Sequence, residues 1–249
     1  MNQNEKIRLV QVINHYIAIG ALVYVYVNSA WWLLLASILF GMLLNAVGIN
    51  IGFHRYLTHR SFQVSPFVEK ILLYAGTIAF IGSPLQMSLS HINHHAYSDK
   101  EGDPYSPNRI KFWDFIRTKF EPIKNNRAGM RRLAENKTVM HLHKNYFTPT
   151  IIYCAMLFLI DPIYVVFFWC IPSLICLYSL LLGMIGCHTT GYRTYDTDDR
   201  SYNNVLVSIF TLGEGWHNNH HKNPSEWNNQ HKWWEIDISA LIIKGIKNE

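Results

Sequence analysis

The chain has 249 residues, of which 49% are hydrophobic, 14% aromatic and 16% charged, and its formal net charge is +5. This balance is too apolar for an ordinary soluble protein and favours a membrane protein. Neither a glycine-rich phosphate loop nor a nucleic-acid-binding module occurs in the sequence, so nucleotides and nucleic acids are not expected as ligands.

The first predicted element is a hairpin of two membrane-spanning helices. Residues 9–53 contain no Asp, Glu, Lys or Arg, and because a span needs about 20 largely apolar residues, this tract has room for two. We place the spans at about 9–28 and 31–53, with the turn at Asn28 and Ser29. The tract lacks a cleavage-site pattern and runs on into the second span, so no signal peptide is predicted.

A pair of histidines, His54 and His59, follows the second span directly. Positions i and i+5 lie about 140° apart on a regular α-helix. Both rings can therefore face one point only if the helix ends between them or if they reach that point from its two sides.

The next stretch, residues 67–89, is apolar but is interrupted by Glu69, Lys70, Gly82 and Pro84. It predicts an amphipathic helix lying in the membrane interface rather than a fifth span. A fifth span would also carry the later histidines to the opposite side of the membrane from His54 and His59, and a shared site could not form.

Two His-x-x-His-His motifs, His91–His95 and His217–His221, are the most specific signal in the chain. On a helix, positions i, i+3 and i+4 lie on one face, so each motif is predicted to aim three imidazoles at one point. Imidazole suits zinc, copper, iron and nickel, and nine histidines exceed the four ligands of one tetrahedral site, so we predict two metal ions. The candidate ligands are His54, His59, His91, His94, His95, His188, His217, His220 and His221.

The segment after His95 carries the carboxylates Asp99, Glu101 and Asp103 among glycine and proline residues. Such clustering marks a loop. The same carboxylates could accept hydrogen bonds from metal-bound histidines, as such ligands usually require. Both interpretations stay open at the level of the sequence.

Residues 108–144 are charged, and Phe112, Phe115, Ile116 and Phe120 recur at helical spacing, which predicts cytosolic helices. The net positive charge is concentrated between Arg55 and Lys144, and its basic side chains, which include Arg127, Arg131, Arg132 and Lys137, indicate one of two roles. They form a solvated face near anionic lipid headgroups, or they bind an acidic redox partner or the phosphates of a carrier-bound substrate.

A second predicted hairpin occupies about 146–187. Its turn is placed at Asp161 and Pro162, because proline disfavours helix in the preceding residue and a lone Asp is costly in lipid; 169–172 is the alternative turn. Four spans put both termini and all the histidine motifs on one face, which the positive-inside tendency assigns to the cytoplasm. The four cysteines of this tract are predicted to be small buried hydrophobes, without disulfides.

Four further histidines are not assigned to the metals. His15 is expected to bond locally or to face another helix, His141 and His143 to lie at the interface, and His231 to be solvated. The remaining nine form an almost pure imidazole set, unlike the Glu and Glu-x-x-His pattern of soluble di-iron bundles.

The chain resembles the integral-membrane fatty acid desaturases of the stearoyl type, especially the short bacterial and cyanobacterial ones. The matching segments are 52–62, 91–99 with Asp103 and Pro104, His188 with 191–196 and Asn203–Asn204, 213–221, and 232–237. They follow one another in the family order and cover nearly the whole chain from residue 50 onward.

This resemblance implies an all-α membrane protein with a single domain, 1–249. In it, transmembrane hairpins at about 9–53 and 146–187 anchor a cytosolic helical cap, about 54–145 and 188–249, that encloses the di-metal site. The nine histidines would ligate two iron ions, with no further catalytic side chain.

The implied reaction is an O2-dependent removal of two hydrogens from a saturated fatty acyl chain, giving a cis double bond near its middle. The implied partners are an acyl-CoA, acyl-carrier-protein or acyl-lipid substrate, membrane lipid, and an electron donor such as ferredoxin or cytochrome b5.

Two positions depart from the family pattern. Met184 stands where the family commonly has an Asn that holds a metal-bound water, and Met87 stands where it often has a Trp that lines the acyl tunnel. Two other functions stay open: a hydroxylase or ketolase of the same histidine class, and a non-catalytic metal-binding membrane protein.

Overall fold

The computed structural model describes residues 1–107 and 126–248, so the predicted helix containing Phe112, Phe115 and Phe120 lies outside the described residues. Within those two ranges the protein is built from helices and loops, with isolated β-bridges at Asn203. The helices are α1 Gln3–Asn28, α2 Trp31–Thr58, α3 Pro66–Ile78, α4 Pro84–Tyr97, α5 Arg127–Glu135, α6 Lys137–Lys144, α7 Phe147–Ile160, α8 Pro162–Gly186, α9 Val205–Thr211, α10 His217–Lys222 and α11 Ile238–Ile246.

Three of these helices, α1, α2 and α8, are long and apolar enough to cross a membrane. The predicted turn between the first two is confirmed, because α1 ends at Asn28 and Ser29 takes a left-handed conformation with φ 53°. The remaining predicted span, the third in chain order, corresponds to α7, which is apolar but has only 14 residues. At about 1.5 Å per residue it is roughly 21 Å long, shorter than a hydrocarbon core of about 30 Å.

The predicted turn at Asp161 and Pro162 is also confirmed. Asp161 ends α7, and its side chain accepts a hydrogen bond from the backbone N–H of Ile163 at the start of α8. The alternative turn at 169–172 is wrong, because α8 continues through Pro172. A wider π-helical turn over Val166–Cys170 precedes this proline.

The stretch 67–89 forms parts of two helices rather than the single amphipathic helix predicted. The chain turns between α3 and α4, where Phe80 and Gly82 have φ angles of 63° and 139°. Both helices begin at a Ser-Pro pair, and the hydroxyls of Ser65 and Ser83 cap the first turns. No fifth span is found within the described residues, because neither α3 nor α4 is among the helices that are apolar and long enough to cross a membrane, and unlike α7 neither is among the shorter strongly apolar helices.

Helix α3 lies directly against the second half of α2. A Cβ atom added at Gly48 would stand 2.5 Å from the backbone nitrogen of Gly76 and 2.6 Å from the carbonyl carbon of Ala75. The two backbones are therefore in contact, and the largest group of buried apolar side chains, including Phe53 and Leu73, surrounds this crossing.

Substitution of Gly48 by Ala is therefore expected to destabilise the protein. Neither backbone can move aside without disturbing its own helix, so we expect a loss of about 1–3 kcal/mol in the free energy of unfolding, as for other overpacked cores. Thermal unfolding of the detergent-solubilised chain measures it. Gly20→Ala is the matched control, because no atom lies within 4 Å of its added Cβ; equal stability of the two variants would contradict this packing.

Candidate metal centre

The structure brings together all nine histidines that the sequence singled out. They form a five-histidine group, which comprises His54, His59, His91, His95 and His220, and a four-histidine group, which comprises His94, His188, His217 and His221. Within each group, one nitrogen from every ring lies within 4.8 Å of the others. Each group thus has the donor atoms and the spacing to hold a metal ion.

The prediction that each His-x-x-His-His motif aims its three rings at one point is wrong. In α4, His91 and His95 belong to the five-histidine group and His94 to the four-histidine group; in α10 the assignment is reversed, with His220 in the five-histidine group. Positions i and i+4 are about 40° apart on an α-helix, whereas i+3 lies about 60° to the other side of i. Each helix therefore contributes to both groups and holds them at a fixed separation.

The pair His54 and His59 converges by a route that the sequence did not suggest. From Asn45 to Thr58, α2 is wound as a π-helix, in which the backbone N–H bonds to the carbonyl five residues earlier. The N–H of His59 bonds to the carbonyl of His54 at 3.1 Å, and the two ring centroids are 4.8 Å apart. The wider winding turns both rings to the same side.

The spacing between imidazole nitrogens fits shared ions. Two nitrogens that each lie about 2.0–2.1 Å from one metal are about 2.8–3.4 Å apart for angles between 90° and 109°. The Nε2 to Nε2 distances are 3.0 Å for His54–His220, His91–His95, His95–His220 and His188–His217, and 3.3 Å for His94–His221. These contacts cover both groups.

Carboxylates fix which nitrogen faces inward. In the four-histidine group, the Nδ1 atom of His94 bonds to Asp103 at 2.9 Å and that of His221 to Asp199 at 2.6 Å. A neutral ring that donates its proton from Nδ1 has a lone pair on Nε2. The Nε2 lone pairs of His94 and His221 thus face each other in a buried space, an arrangement that calls for a cation between them.

Two of the three carboxylates in the loop after His95 therefore act as histidine partners. Asp103 accepts a hydrogen bond from Nδ1 of His94, and Asp99 accepts one from Nδ1 of His188 at 2.9 Å, whereas Glu101 is exposed. The loop interpretation also holds, because Asp99 has a left-handed φ of 59° and its N–H bonds to the Asp103 side chain.

Sequence reasoning missed two other carboxylates, Asp199 and Glu214. Glu214 contacts Nδ1 of His54 at 2.7 Å and also pairs with the guanidinium of Arg55, which is fully buried and reaches Asp237 as well. The signal available in the sequence was that Glu214 precedes His217 by three residues. Asp199 offered no comparable signal.

A polar frame holds α10 in place. The backbone N–H groups of its spacer residues, Asn218 and Asn219, both donate to the side-chain oxygen (Oδ1) of Asn203. The amide of Asn219 also donates to Glu235 at 2.8 Å, and the side-chain oxygen of Asn218 accepts from the N–H of Thr194. The ring positions are thus fixed by buried hydrogen bonds rather than by apolar packing alone.

The electrostatic state of the site favours metal binding. Burial lowers the pKa of His91, His95 and His217 well below 6.5, so these rings are neutral at pH 7, as metal ligation requires. Burial by itself would raise the pKa of the Asp199 carboxyl, but the hydrogen bond with His221 lowers it well below its usual range. The carboxylate is therefore ionised beside a neutral ring.

An apolar cavity leads from the membrane helices to the histidines. Phe53 of α2 and Leu180 and Met184 of α8 are among the side chains of its wall, and it ends at the rings of His54 and His217. Met87, the other departure from the family pattern, also lines this cavity. A thioether therefore lies at both positions where the family commonly has Asn or Trp.

The remaining histidines lie outside both groups. His15 bonds to the carbonyl of Gln11 and to the hydroxyl of Tyr178 on α8, as expected. The expectation for His231 was wrong, because its half-buried ring bonds to the hydroxyl of Tyr195 at 2.8 Å instead of being fully solvated. All four cysteines are free thiols; Cys170, Cys176 and Cys187 are buried, as predicted, whereas Cys154 is only half-buried.

Comparison with known proteins identifies relatives along most of the chain. A family model described as "Fatty acid desaturase" matches residues 29–242. The chain is 32% identical over 235 residues to the sn-1 stearoyl-lipid 9-desaturase of Anabaena variabilis, covering 91% of this chain and 85% of that protein. It is 32% identical over 210 residues to the sn-2 palmitoyl-lipid 9-desaturase of Nostoc sp. (strain 36), covering 81% and 74%.

A plant relative widens the range of substrates among similar proteins. The chain is 30% identical over 230 residues to the icosanoyl-CoA 5-desaturase of Limnanthes douglasii, covering 88% of this chain and 63% of that protein. These relatives thus differ in the acyl carrier, lipid or CoA, and in the position of the double bond.

Loss of the charge on Asp199 is expected to weaken metal binding. In Asp199→Asn the His221 ring loses its anionic partner, and removal of such a partner typically costs about 10- to 100-fold in metal affinity. Competition with a chelator, followed by metal analysis of the purified protein, measures the effect. Asp196→Asn, which changes an exposed carboxylate three residues away, should retain metal normally; equal losses in both variants would refute the role of Asp199.

Acid is expected to remove the metals and to destabilise the fold. Folded rings with a lowered pKa stay neutral, whereas the unfolded chain takes up protons below the ordinary histidine pKa of 6.5. This contribution to stability is therefore present above about pH 6.5 and is lost as the pH falls below it. Bound metal and the thermal midpoint, measured from about pH 8 to pH 5, should stay constant down to about pH 6.5 and then decline together. A constant metal content down to pH 5 would be inconsistent with neutral imidazole ligands.

Proposed function

This chain belongs to the fatty acid desaturase family and is a fatty acyl desaturase. We propose that it introduces a cis double bond near the middle of a saturated acyl chain, and that it does so at a di-iron centre. The observation that carries the proposal is the division of nine histidines into two groups with nitrogen spacings suited to two shared ions. The 9-position named for two of the relatives supports a mid-chain product.

We propose that the five-histidine group holds one iron and the four-histidine group the other. Two irons in this donor set would supply O2 activation and the oxidising power needed to break an unactivated C–H bond. The overall balance consumes one O2, two external electrons and two protons, and it yields the alkene and two molecules of water. Family membership supports iron, since imidazole alone does not choose among metals.

The chain's own residues orient the ligands and hold their charge state. Glu214, fixed by Arg55, keeps the His54 ring turned with Nδ1 outward. Asp103 does the same for His94 from the opposite side of the site. These buried carboxylates increase the electron donation of the rings and hold the two groups rigid.

The apolar cavity would bind the acyl chain. Its wall of Phe53, Leu180 and Met184 offers contacts suited to methylene groups, and it reaches the rings of His54 and His217. Such a wall excludes water from the reacting carbon atoms and thereby suppresses side reactions. Met184 and Met87 are flexible side chains in this wall, and we propose that they help set the chain length that fits.

For the membrane arrangement, we propose a single domain, 1–249, with four crossings in two hairpins. In this arrangement α7 is the third and shortest crossing, which local thinning of the bilayer accommodates. The cap, about 54–145 and 188–249, then lies on the same side as both termini. The basic residues of the cap favour the cytoplasmic side.

We propose that the acyl chain arrives on CoA, acyl-carrier protein or a lipid, and that ferredoxin or cytochrome b5 delivers the electrons one at a time. The relatives named for lipid-bound and CoA-bound chains support a lipid or CoA as the carrier. The net charge of +5 favours an acidic electron donor.

Expression in a host that lacks unsaturated fatty acids tests the reaction. Analysis of the acyl chains, with location of the double bond, should show a mid-chain cis alkene; a hydroxylated chain without an alkene would contradict desaturation. His94→Ala and His220→Ala each remove one ring from a different group, so each should reduce the product at least about 1000-fold while the protein stays in the membrane.

His141→Ala serves as the matched control, because this exposed histidine of α6 lies outside both groups. It should leave the product unchanged. Normal product from His94→Ala or His220→Ala would remove those rings from the proposed ligand set.

A further inference from the structure

A second cleft lies on the outer side of the last turn of α2, where that helix meets α5. One wall is apolar and includes Tyr56, Phe62 and Leu133, and the rim carries Arg60 and Arg132. None of the residues that line this two-arginine cleft also lines the apolar cavity beside the histidines. The two-arginine cleft is thus a separate feature of the surface.

The two guanidinium groups carry uncompensated charge. Both terminal nitrogens of Arg132 donate to the backbone carbonyl of Thr58 at 3.2 Å, and Arg60 is exposed. Neither arginine has an ion-pair partner within the part of the chain that the structure describes. Burial and then the positive charge of Arg60 lower the pKa of Arg132, which agrees with two cations close together.

The neighbouring carboxylates are already engaged elsewhere. Glu135, on the rim of the cleft, pairs with Arg131 at 3.2 Å, and Glu69 accepts a hydrogen bond of 2.6 Å from the side chain of Asn136. Both carboxylates are therefore close to the two-arginine cleft, but within the described part of the chain neither forms an ion pair with Arg60 or Arg132. Paired guanidiniums without carboxylates form a favourable site for a phosphate, which can accept several charge-assisted hydrogen bonds.

The position of the two-arginine cleft indicates the source of that phosphate. Arg60 is two residues beyond Thr58, the end of the membrane-spanning helix α2, and it has a left-handed φ of 54°. If α2 crosses the membrane, as its length and apolar composition allow, its end would lie near the lipid headgroups, where basic side chains attract anionic lipids. The apolar wall with Tyr56 and Phe62 suits the glycerol and first methylenes of a lipid better than a freely soluble ion.

We propose that the two-arginine cleft binds the phosphate of an anionic phospholipid headgroup. The site is independent of the metals and of the reaction proposed above. Through the bond between Arg132 and the carbonyl of Thr58, the bound lipid would stabilise the end of α2 next to His59.

Lipid binding to the full chain, delipidated in a neutral detergent, tests the proposal. Native mass spectrometry with added phosphatidylglycerol should show one tightly bound lipid, whereas phosphatidylcholine binds more weakly. Arg60→Gln and Arg132→Gln should each weaken phosphatidylglycerol binding by about tenfold or more, because each removes a charge-assisted contact. Arg132→Lys should recover part of the loss.

Arg131→Gln is the matched control, because this exposed residue lies next to Arg132 on α5 but pairs with Glu135. It should bind phosphatidylglycerol like the parent chain. Equal weakening in Arg131→Gln, equal binding of phosphatidylcholine, or an absence of tight binding would overturn the proposal. Displacement of the lipid by millimolar inorganic phosphate would also overturn the proposal, in favour of a soluble phosphate ligand. Because Arg60 is exposed, Arg60→Gln tests lipid binding even if Arg132→Gln folds poorly.

Discussion

The nitrogen lone pairs that converge between the nine imidazole rings are the constraint on which the rest of the structure depends. Neutral rings with Nε2 atoms about 3 Å apart repel one another unless cations lie between them, and buried carboxylates hold several of the rings in that tautomer. The surrounding helices bring rings from four distant segments of the chain to within contact distance. A site of this kind is stable only when its polar frame is complete, which explains why Arg55, Asn203 and Asn219 are buried and bonded at its edge.

The anchor and the metal centre are one structure rather than two. The same helix, α2, lies against the backbone of α3 at Gly48, lines the apolar cavity with Phe53, and ends in the π-wound turn that presents His54 and His59. Helix α8 lines the cavity from the opposite side with Leu180 and Met184. An acyl chain held among these helices would therefore meet the histidines without leaving an apolar environment, which is the condition that a reaction at an unactivated carbon requires.

The two metal groups are built differently although they share two helices. Three rings of the four-histidine group have a carboxylate at Nδ1, namely those of His94, His188 and His221. In the five-histidine group, His54 has such a partner in Glu214. Carboxylate partners increase the electron donation of an imidazole, so the four-histidine group has fewer rings but stronger donation from three of them.

The sequence by itself determined the class of protein, the nine histidines and most turns. A long tract without charged residues must be surrounded by lipid or by a large apolar core. The spacing of His91, His94 and His95 determines their relative directions around a helix. Composition and spacing are both properties of a single segment, so the sequence is enough to read them. Tertiary structure decided how the rings divide between two groups, how α2 is wound at His54, and which acids from other segments, such as Asp199, meet the rings. These depend on what lies opposite each helix, and the periodicity of one segment contains no information about its distant partner. The same reason explains why a basic residue such as Arg132 was visible in the sequence, whereas its place beside Arg60 was not.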